Sequence, residues 1–531
     1  MSAKGFLALV LHAHLPFVRH PEHNRFLEED WFFEALTETY LPLLNVFEGL
    51  QRDNIFFRIT MSLTPPLLSM MTDPLLQQRY VRYLDERLGA LEGEKLRTRN
   101  DSYFGPVVDF YCHFFQKLRK QYVDDYQCDV AQAFRRFMDS GSLEIITCGA
   151  THGYFPLLAN QEESLYAQLS MAVRTHERIL GQRPTGIWLP ECGYTPGVDR
   201  LLAEFGIDHF FLDSHGLLNA DPRPKYGVHR PARTPAGPAA FARDYESSKQ
   251  VWSAEEGYPG DTSYREFYRD AGFDVQQPHI QSLLHAGIPT FTGLKYHRIT
   301  GKGDWKEPYH RGWALERAAE HAGNFMFNRQ RQVEWLSSVL DRPPIIVAPY
   351  DAELFGHWWF EGPQWIDFLF RKIACDQDDV ETITPREYLD RYSDLQTVQP
   401  PECSWGAGGF HEVWLNGNND WIYPYLHDAA EQMSQLVRNI PDAQGDQRWA
   451  LDQAARELLL AQSSDWAFIM KTQTSVDYAV KRFKTHIHRF HRCVQMVTSG
   501  HYDVSYLKAV TERDSLFPDM DYRIFQLRPC I

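Results

Sequence analysis

After the apolar run Ile345-Ile346-Val347 the chain reads Ala348-Pro349-Tyr350-Asp351-Ala352-Glu353-Leu354-Phe355-Gly356-His357-Trp358-Trp359. The run is β-branched and reads as a buried parallel strand. At its end stand two carboxylates, a histidine and two tryptophans. This suits the cleavage of a sugar polymer: rings stack on the apolar faces of a pyranose, and carboxyl groups give and take protons. A second stretch, Gly186-Ile187-Trp188-Leu189-Pro190-Glu191-Cys192-Gly193-Tyr194, has the same grammar. Strand ends of this kind can face each other across the top of a parallel-stranded barrel. A retaining glycosidase needs two such carboxylates, one as nucleophile and one as proton donor. Glu353 follows Asp351 by two positions, so spacing alone leaves either as partner to Glu191.

The elements that must position these groups alternate. Strands are expected at Phe6–Leu11, Phe56–Met61, Leu143–Thr147 and His209–Asp213, with helices at Leu27–Glu48, Glu163–Leu180, Leu201–Phe205 and Gly323–Leu340. Such alternation means a parallel sheet with its sites at the carboxyl ends of the strands. The first strand delivers His12 and His14, which point to one side if still extended. An HxH pair can bind zinc or hydrogen-bond sugar hydroxyls, and no convincing third ligand lies nearby. The third strand leads to His152 in Gly149-Ala150-Thr151-His152-Gly153-Tyr154. Trp31 is read as lining a sugar subsite.

A charged, helix-patterned region over 67–126 interrupts the alternation and reads as an insertion. Residues 217–261 are rich in Pro, Gly, Arg and Tyr and read as a lid loop. Tyr258, Arg265 and Gly293 in and after it are expected to face the site. After Pro385 the pattern is mainly helical, with the clearest helices at Asp428–Asn439, Gln447–Gln462 and Thr474–Met496. The expected architecture is a distorted TIM-like (β/α)7 barrel over 1–66 and 127–390, a helical insertion over 67–126, and a C-terminal helical domain over 391–531.

Composition narrows the partners. The 531-residue chain carries a net charge of -16, which argues against nucleic acid and anionic membrane. An aromatic fraction of 14%, with 14 Trp and 26 Tyr, fits a neutral polysaccharide surface. The eight cysteines show no CxxC spacing, so neither a zinc knuckle nor a redox motif is expected. The first apolar run is too short for a signal peptide, and no stretch is long enough to span a membrane. The expected compartment is the cytoplasm, with reduced thiols.

Five ordered motifs carry a resemblance: Leu11-His12-Ala13-His14-Leu15-Pro16, Gly149–Tyr154, Trp188–Tyr194, Ala348–His357 and Ser404-Trp405-Gly406. The chain resembles glycoside hydrolase family 57, and within it the 1,4-α-glucan branching enzymes. The resemblance implies Glu191 as nucleophile and Asp351, rather than Glu353, as acid/base. It implies α-1,4-glucan as donor and acceptor, and no cofactor or catalytic metal. It places His12, His14 and His152 in the donor-sugar site, and Trp405, Trp414, Asp465 and Trp466 in the groove shared with the helical domain. His357 and Gln473 join the expected substrate-binding set, and Tyr226 or Tyr245 is the expected loop tyrosine. An amylase or 4-α-glucanotransferase of the same family is the alternative. Oligomeric state is left open.

Overall fold

The computed structural model of the protein describes residues 3–253, 256–301 and 303–527. Among the described residues nine strands form its sheets: β1 (Gly5–Ala13), β2 (Ile59–Leu63), β3 (Leu143–Ile146), β4 (Gly186–Ile187), β5 (His209–Leu212), β6 (Ala232–Arg233), β7 (Ala239–Ala242), β8 (Ile345–Asp351) and β9 (Val380–Thr382). Every residue of β1 is buried, as a continuous apolar run in a parallel sheet requires. One sheet runs β3-β2-β1-β8, with β9 beside the start of β1, and the other runs β4-β5-β7-β6. All pairings are parallel except β6 with β7.

Two narrow seams join the sheets. Thr147 N–H donates to Gly186 O at 3.1 Å, and Trp188 N–H donates to Thr147 O at 2.9 Å. On the far side Asp244 N–H donates to Val347 O at 2.8 Å, tying the exit of β7 to β8. The ring is thus β1, β2, β3, β4, β5, β7 and β8, a distorted (β/α)7 barrel. Helices Glu162–Leu180, Arg311–Val339 and Gly362–Cys375 belong to its outer layer.

One expectation is corrected here. Residues 217–261 are not one lid loop: they hold the barrel strand β7 and the helix Tyr245–Trp252. β7 reads Ala239-Ala240-Phe241-Ala242 and is fully buried. Alanine is a poor strand former in isolation, so burial between neighbours decides its conformation. Two shifts are smaller. The strand expected from Phe56 begins at Ile59, and the helix before β8 begins at Arg311.

Between β2 and β3 the chain forms helices Pro65–Met71, Pro74–Thr98, Phe104–Lys120 and Val130–Asp139. Asp73 caps the long one, accepting from Leu76 N–H at 3.0 Å, with Pro74 in the first turn. Beyond 421 come helices Ile422–Asn439, Gly445–Ala461, Ser464–Thr472, Val476–Ser499 and Val504–Arg513. One of them reaches the barrel top. Ser463 bridges Gly153, and Ser464 N–H donates to His152 O at 3.0 Å. One apolar core runs through the barrel, the inserted helices and the C-terminal helices.

Candidate active site at the barrel top

Parallel register sets the first contacts. His12 on β1 lies level with Asp351 on β8 and Ser62 on β2. Glu191 arrives on the turn after β4 in a left-handed conformation, φ 62°, and Cys192 follows at φ 49°. His152 is left-handed too, φ 59°. Such backbone is unfavourable for a residue with a Cβ by about 1–2 kcal/mol, and it concentrates at functional sites.

The Glu191 carboxylate has two donors. Trp405 Nε1–H donates to Oε2 at 2.8 Å, and Ser464 Oγ–H donates to Oε1 at 3.3 Å. From Ser464 a chain of hydrogen bonds runs inward: to His152 Nδ1 at 2.8 Å, from His152 Nε2 to His12 Nε2 at 3.0 Å, and from His12 Nδ1 to Ser62 Oγ at 3.2 Å. An ionised Glu191 can only accept, so the chain has one direction. With Ser464 donating to the carboxylate, His152 donates to Ser464 and His12 to His152, and the Ser62 hydroxyl is shared between His12 Nδ1 and Thr147 O at 3.4 Å. Both imidazoles are neutral in this arrangement. Burial holds their pKa values well below the usual range, and the neighbouring histidines add to it. His14 differs. Burial opposes its charge, but Asp465, 3.1 Å from Nε2, more than compensates and raises its pKa. Asp465 is correspondingly held down at about 2, against its own burial.

The carboxyls diverge. Burial raises Glu191 to about 7, while its Trp405 and Ser464 donors favour the ionised form. Asp351 is pushed well above the usual range, first by burial and then by the charges of Glu353 and Glu191. No hydrogen-bond partner faces its carboxyl among the described residues. Glu353 is engaged: its Oε1 accepts from the Tyr40 hydroxyl and from His14 N–H at 3.2 Å. Asp351 is thus the carboxyl left open, and Glu353 is a brace between β1 and the helix at 36–40.

His12, Cys148 and His152 bring three ligand-type atoms within 4.8 Å of one another. A metal would need a thiolate and free imidazole lone pairs. Burial instead pushes the Cys148 thiol far up, and both imidazoles are spent in the hydrogen-bonded chain. The trio fits a protein-only cluster.

Glu191, Asp351, His12, His14, His152, Trp405 and Asp465 therefore converge. The other expected residues lie elsewhere. Trp414 is buried, stacked on Tyr154 at 4.5 Å and pressed against Gly406, so it offers no open face. Trp466 is buried with Nε1–H on Leu460 O at 2.8 Å. Gln473, at φ 60°, ends the helix Ser464–Thr472. Tyr258 stacks on His321 and donates to Asn324. Arg265 is buried in an ion pair with Glu38 at 2.7 Å, and His357 hydrogen-bonds the same Glu38 at 2.9 Å. Gly293, at φ 82°, turns the chain onto Asp270. These last three secure the loops beside the insertion. Of the tyrosines expected over the site, Tyr226 pairs with Asp341 before β8, at the barrel's opposite end, and Tyr245 faces outward. Trp252, the last residue of the helix Tyr245–Trp252, brings its ring to 6.4 Å from that of Trp405.

Sequence reading missed Ser62, Ser464, Tyr40 and Trp252. A serine or tyrosine carries no pattern of its own; only adjacency to Asp465 marked Ser464.

The profile of Glycosyl hydrolase family 57 matches residues 8–331, and that of the C-terminal region of 1,4-alpha-glucan branching enzyme matches 425–525. The 1,4-alpha-glucan branching enzyme TK1436 of Thermococcus kodakarensis is 35% identical over 97% of this chain and 77% of its own. Its crystal structure superposes with a TM-score of 0.88 over 99% of this chain and 97% of that one. The structure titled as the novel alpha-amylase AmyC from Thermotoga maritima is 41% identical, with a TM-score of 0.93 over 99% of this chain and 100% of that one.

Proposed function

We propose that this chain, which belongs to glycoside hydrolase family 57, is a retaining 1,4-α-glucan branching enzyme. The observation that carries the chemistry is the split between the two carboxyls. Glu191 sits under two donors that favour its ionised form, and Asp351 sits without one, its pKa pushed well above the usual carboxylate range by burial and by the charges of Glu353 and Glu191. Environments that push two carboxyl pKa values apart assign the acid and the nucleophile.

Asp351 protonates the leaving glycosidic oxygen while Glu191 attacks the anomeric carbon, giving a glycosyl ester of inverted configuration. Asp351, now a base, then takes the proton of the incoming 6-hydroxyl of a second glucan. The second inversion restores α and leaves an α-1,6 branch. His12 and His152, fixed in their hydrogen-bonded chain, and His14, fixed on Asp465 with its pKa raised, hold the wall of this space in place around the carboxyls. Trp405 and Trp252 wall the nucleophile, where water must be kept from the ester.

Branching rather than hydrolysis is supported by the match of the branching-enzyme C-terminal profile, since that region delivers Ser464 and Asp465 to the site. The similarity to AmyC favours the second reading, an amylase. The linkage composition of the product from pure amylose separates them. Branching creates α-1,6 linkages at nearly constant reducing ends, with falling iodine staining. Hydrolysis raises reducing ends in step and creates no new linkage.

The reading places the enzyme in glycogen-type glucan synthesis in the cytoplasm, acting on amylose- or amylopectin-like chains. Two observations support the compartment. Among the described residues no helix is long and apolar enough to cross a membrane, and the seven described cysteines are free. Cys530 lies outside the described residues. The division at 1–66 with 127–390, 67–126 and 391–531 is proposed on the same reading.

A further inference from the structure

The helix Arg311–Val339 buries one face, through Ala314, Ala318, Ala322, Phe325, Val333 and Leu336. On its opposite face two rings stand in solvent two turns apart: Phe327, 52% exposed, and Trp335, 63% exposed. Neither is needed to pack the barrel. Across from Trp335 stands Tyr245, 68% exposed, the first residue of the helix Tyr245–Trp252. A cavity of about 560 Å³ separates the two elements, with Ser214, Asp244, Asn328 and Gln332 among its lining. That volume is in the range of ligand sites, roughly 300–1,000 Å³. It opens on the outer wall of the barrel, between helices, whereas Glu191 and Asp351 lie at the strand ends.

The lining is polar but its charges are already answered. Glu246 pairs with Arg329 at 2.9 Å, Arg331 with Glu334 at 2.6 Å, and Asp244 accepts from Gln332 Nε2 at 2.8 Å. In the wall of the groove Gln332 Oε1 and His229 Nδ1 are buried without a hydrogen-bond partner. A groove walled by the exposed rings of Trp335 and Tyr245, with amide and hydroxyl side chains and with Asp244 held by hydrogen bonds, suits a neutral polyhydroxylated chain.

We infer that this groove is a second glucan-binding site, separate from the catalytic cleft, which holds a distant part of the same α-glucan. The inference rests on the function proposed above. Its use follows from the polymeric substrate. A chain held on the outer wall raises the effective concentration of its free segments at the catalytic cleft, without any new contact there.

The test is native electrophoresis through gels containing glycogen, in a Glu191→Gln background so that the matrix is not consumed. Trp335→Ala and Tyr245→Ala should each weaken retardation, by roughly tenfold in apparent dissociation constant. With Glu191 restored, Trp335→Ala should leave the rate on short maltooligosaccharides unchanged and lower it several-fold on dilute long amylose. Retardation equal to that of the parent overturns the groove and leaves the catalytic reading standing. So does a change in oligomeric state on size-exclusion chromatography, which makes the rings an interface between copies of the chain. If no glucan retards even the parent, and no α-1,6 linkage forms on amylose, the proposed function fails as well.

Discussion

Two of the buried clusters of histidine and carboxylate among the described residues are built on opposite principles. One is the proposed catalytic cluster of Glu191, Asp351, Glu353 and Asp465 with His12, His14 and His152. The other lies in the C-terminal helices. There His486 Nδ1 bonds Glu457 Oε2 at 2.6 Å, Gln453 donates to Glu457 Oε1 at 2.7 Å, and Arg489 pairs with Asp514. Glu457, His486 and Asp514 also bring ligand-type atoms together. Cations answer this second cluster. Arg489, Arg456 and Arg482 all act on it, and Arg456 is further fixed by Leu516 O at 2.6 Å. The catalytic cluster has no such answer. His14 is spent on Asp465, and Arg243, whose guanidinium acts on Asp351, is paired with Asp213. Buried carboxyls left without a cation mark the place that waits for a substrate; a closed network marks scaffold.

The comparison predicts opposite mutational signatures. Glu191→Gln and Asp351→Asn should each remove activity by several orders of magnitude. Their melting temperatures should stay level or rise, because burying a titratable carboxyl without a cation to pair it is itself unfavourable. Arg489→Ala should do the reverse. It strands Asp514, at a cost of about 3–5 kcal/mol, and lowers the melting temperature while specific activity of the folded fraction holds. Equal melting losses at both clusters would erase the distinction.

A smaller effect sharpens the account of the nucleophile. Trp405→Phe keeps the ring and deletes the donor to Glu191. The lost hydrogen bond had favoured the carboxylate, so the Glu191 pKa rises from about 7 and the acid limb of kcat/KM moves to higher pH. Transfer and hydrolysis should fall together, since both pass through the same ester. A profile that does not move would return Trp405 to a purely stacking role. Ser464→Ala should shift the limb the same way by less, its bond being longer at 3.3 Å against 2.8 Å, and Ser464→Thr should restore it.

The smallest expected effect is none. Dialysis against a chelator should leave activity unchanged, because His12 and His152 are committed to each other and to serines. Loss of activity with rescue by zinc would turn the His12–Cys148–His152 trio into a metal site.

What the sequence disclosed follows from how each residue signals. Glu191 and Asp351 stand at the ends of apolar strands beside prolines and rings, a local pattern visible without any fold. His12 and His152 could be named for the same reason. Trp414 and Trp466 could not be sorted, because a tryptophan next to a glycine or an aspartate reads alike whether it faces sugar or core. Only the packing of Trp414 against Tyr154 and Gly406 decides it. Arg265 and His357 sit in sugar-site company along the chain, but Glu38, more than two hundred residues earlier, claims both. The strand β7 stayed hidden because its alanines carry no propensity, and its conformation is set by neighbours on either side.

The most direct test is covalent. A glycosyl fluoride of a maltooligosaccharide needs no proton to leave, so the Asp351→Asn variant should complete the first step and stall before the second. Mass spectrometry of the quenched and digested protein should then find one glycosyl unit esterified to the peptide carrying Glu191. An adduct on Glu353 or Asp465, or release of product of inverted configuration without any adduct, would contradict the assignment of nucleophile and acid on which the account rests.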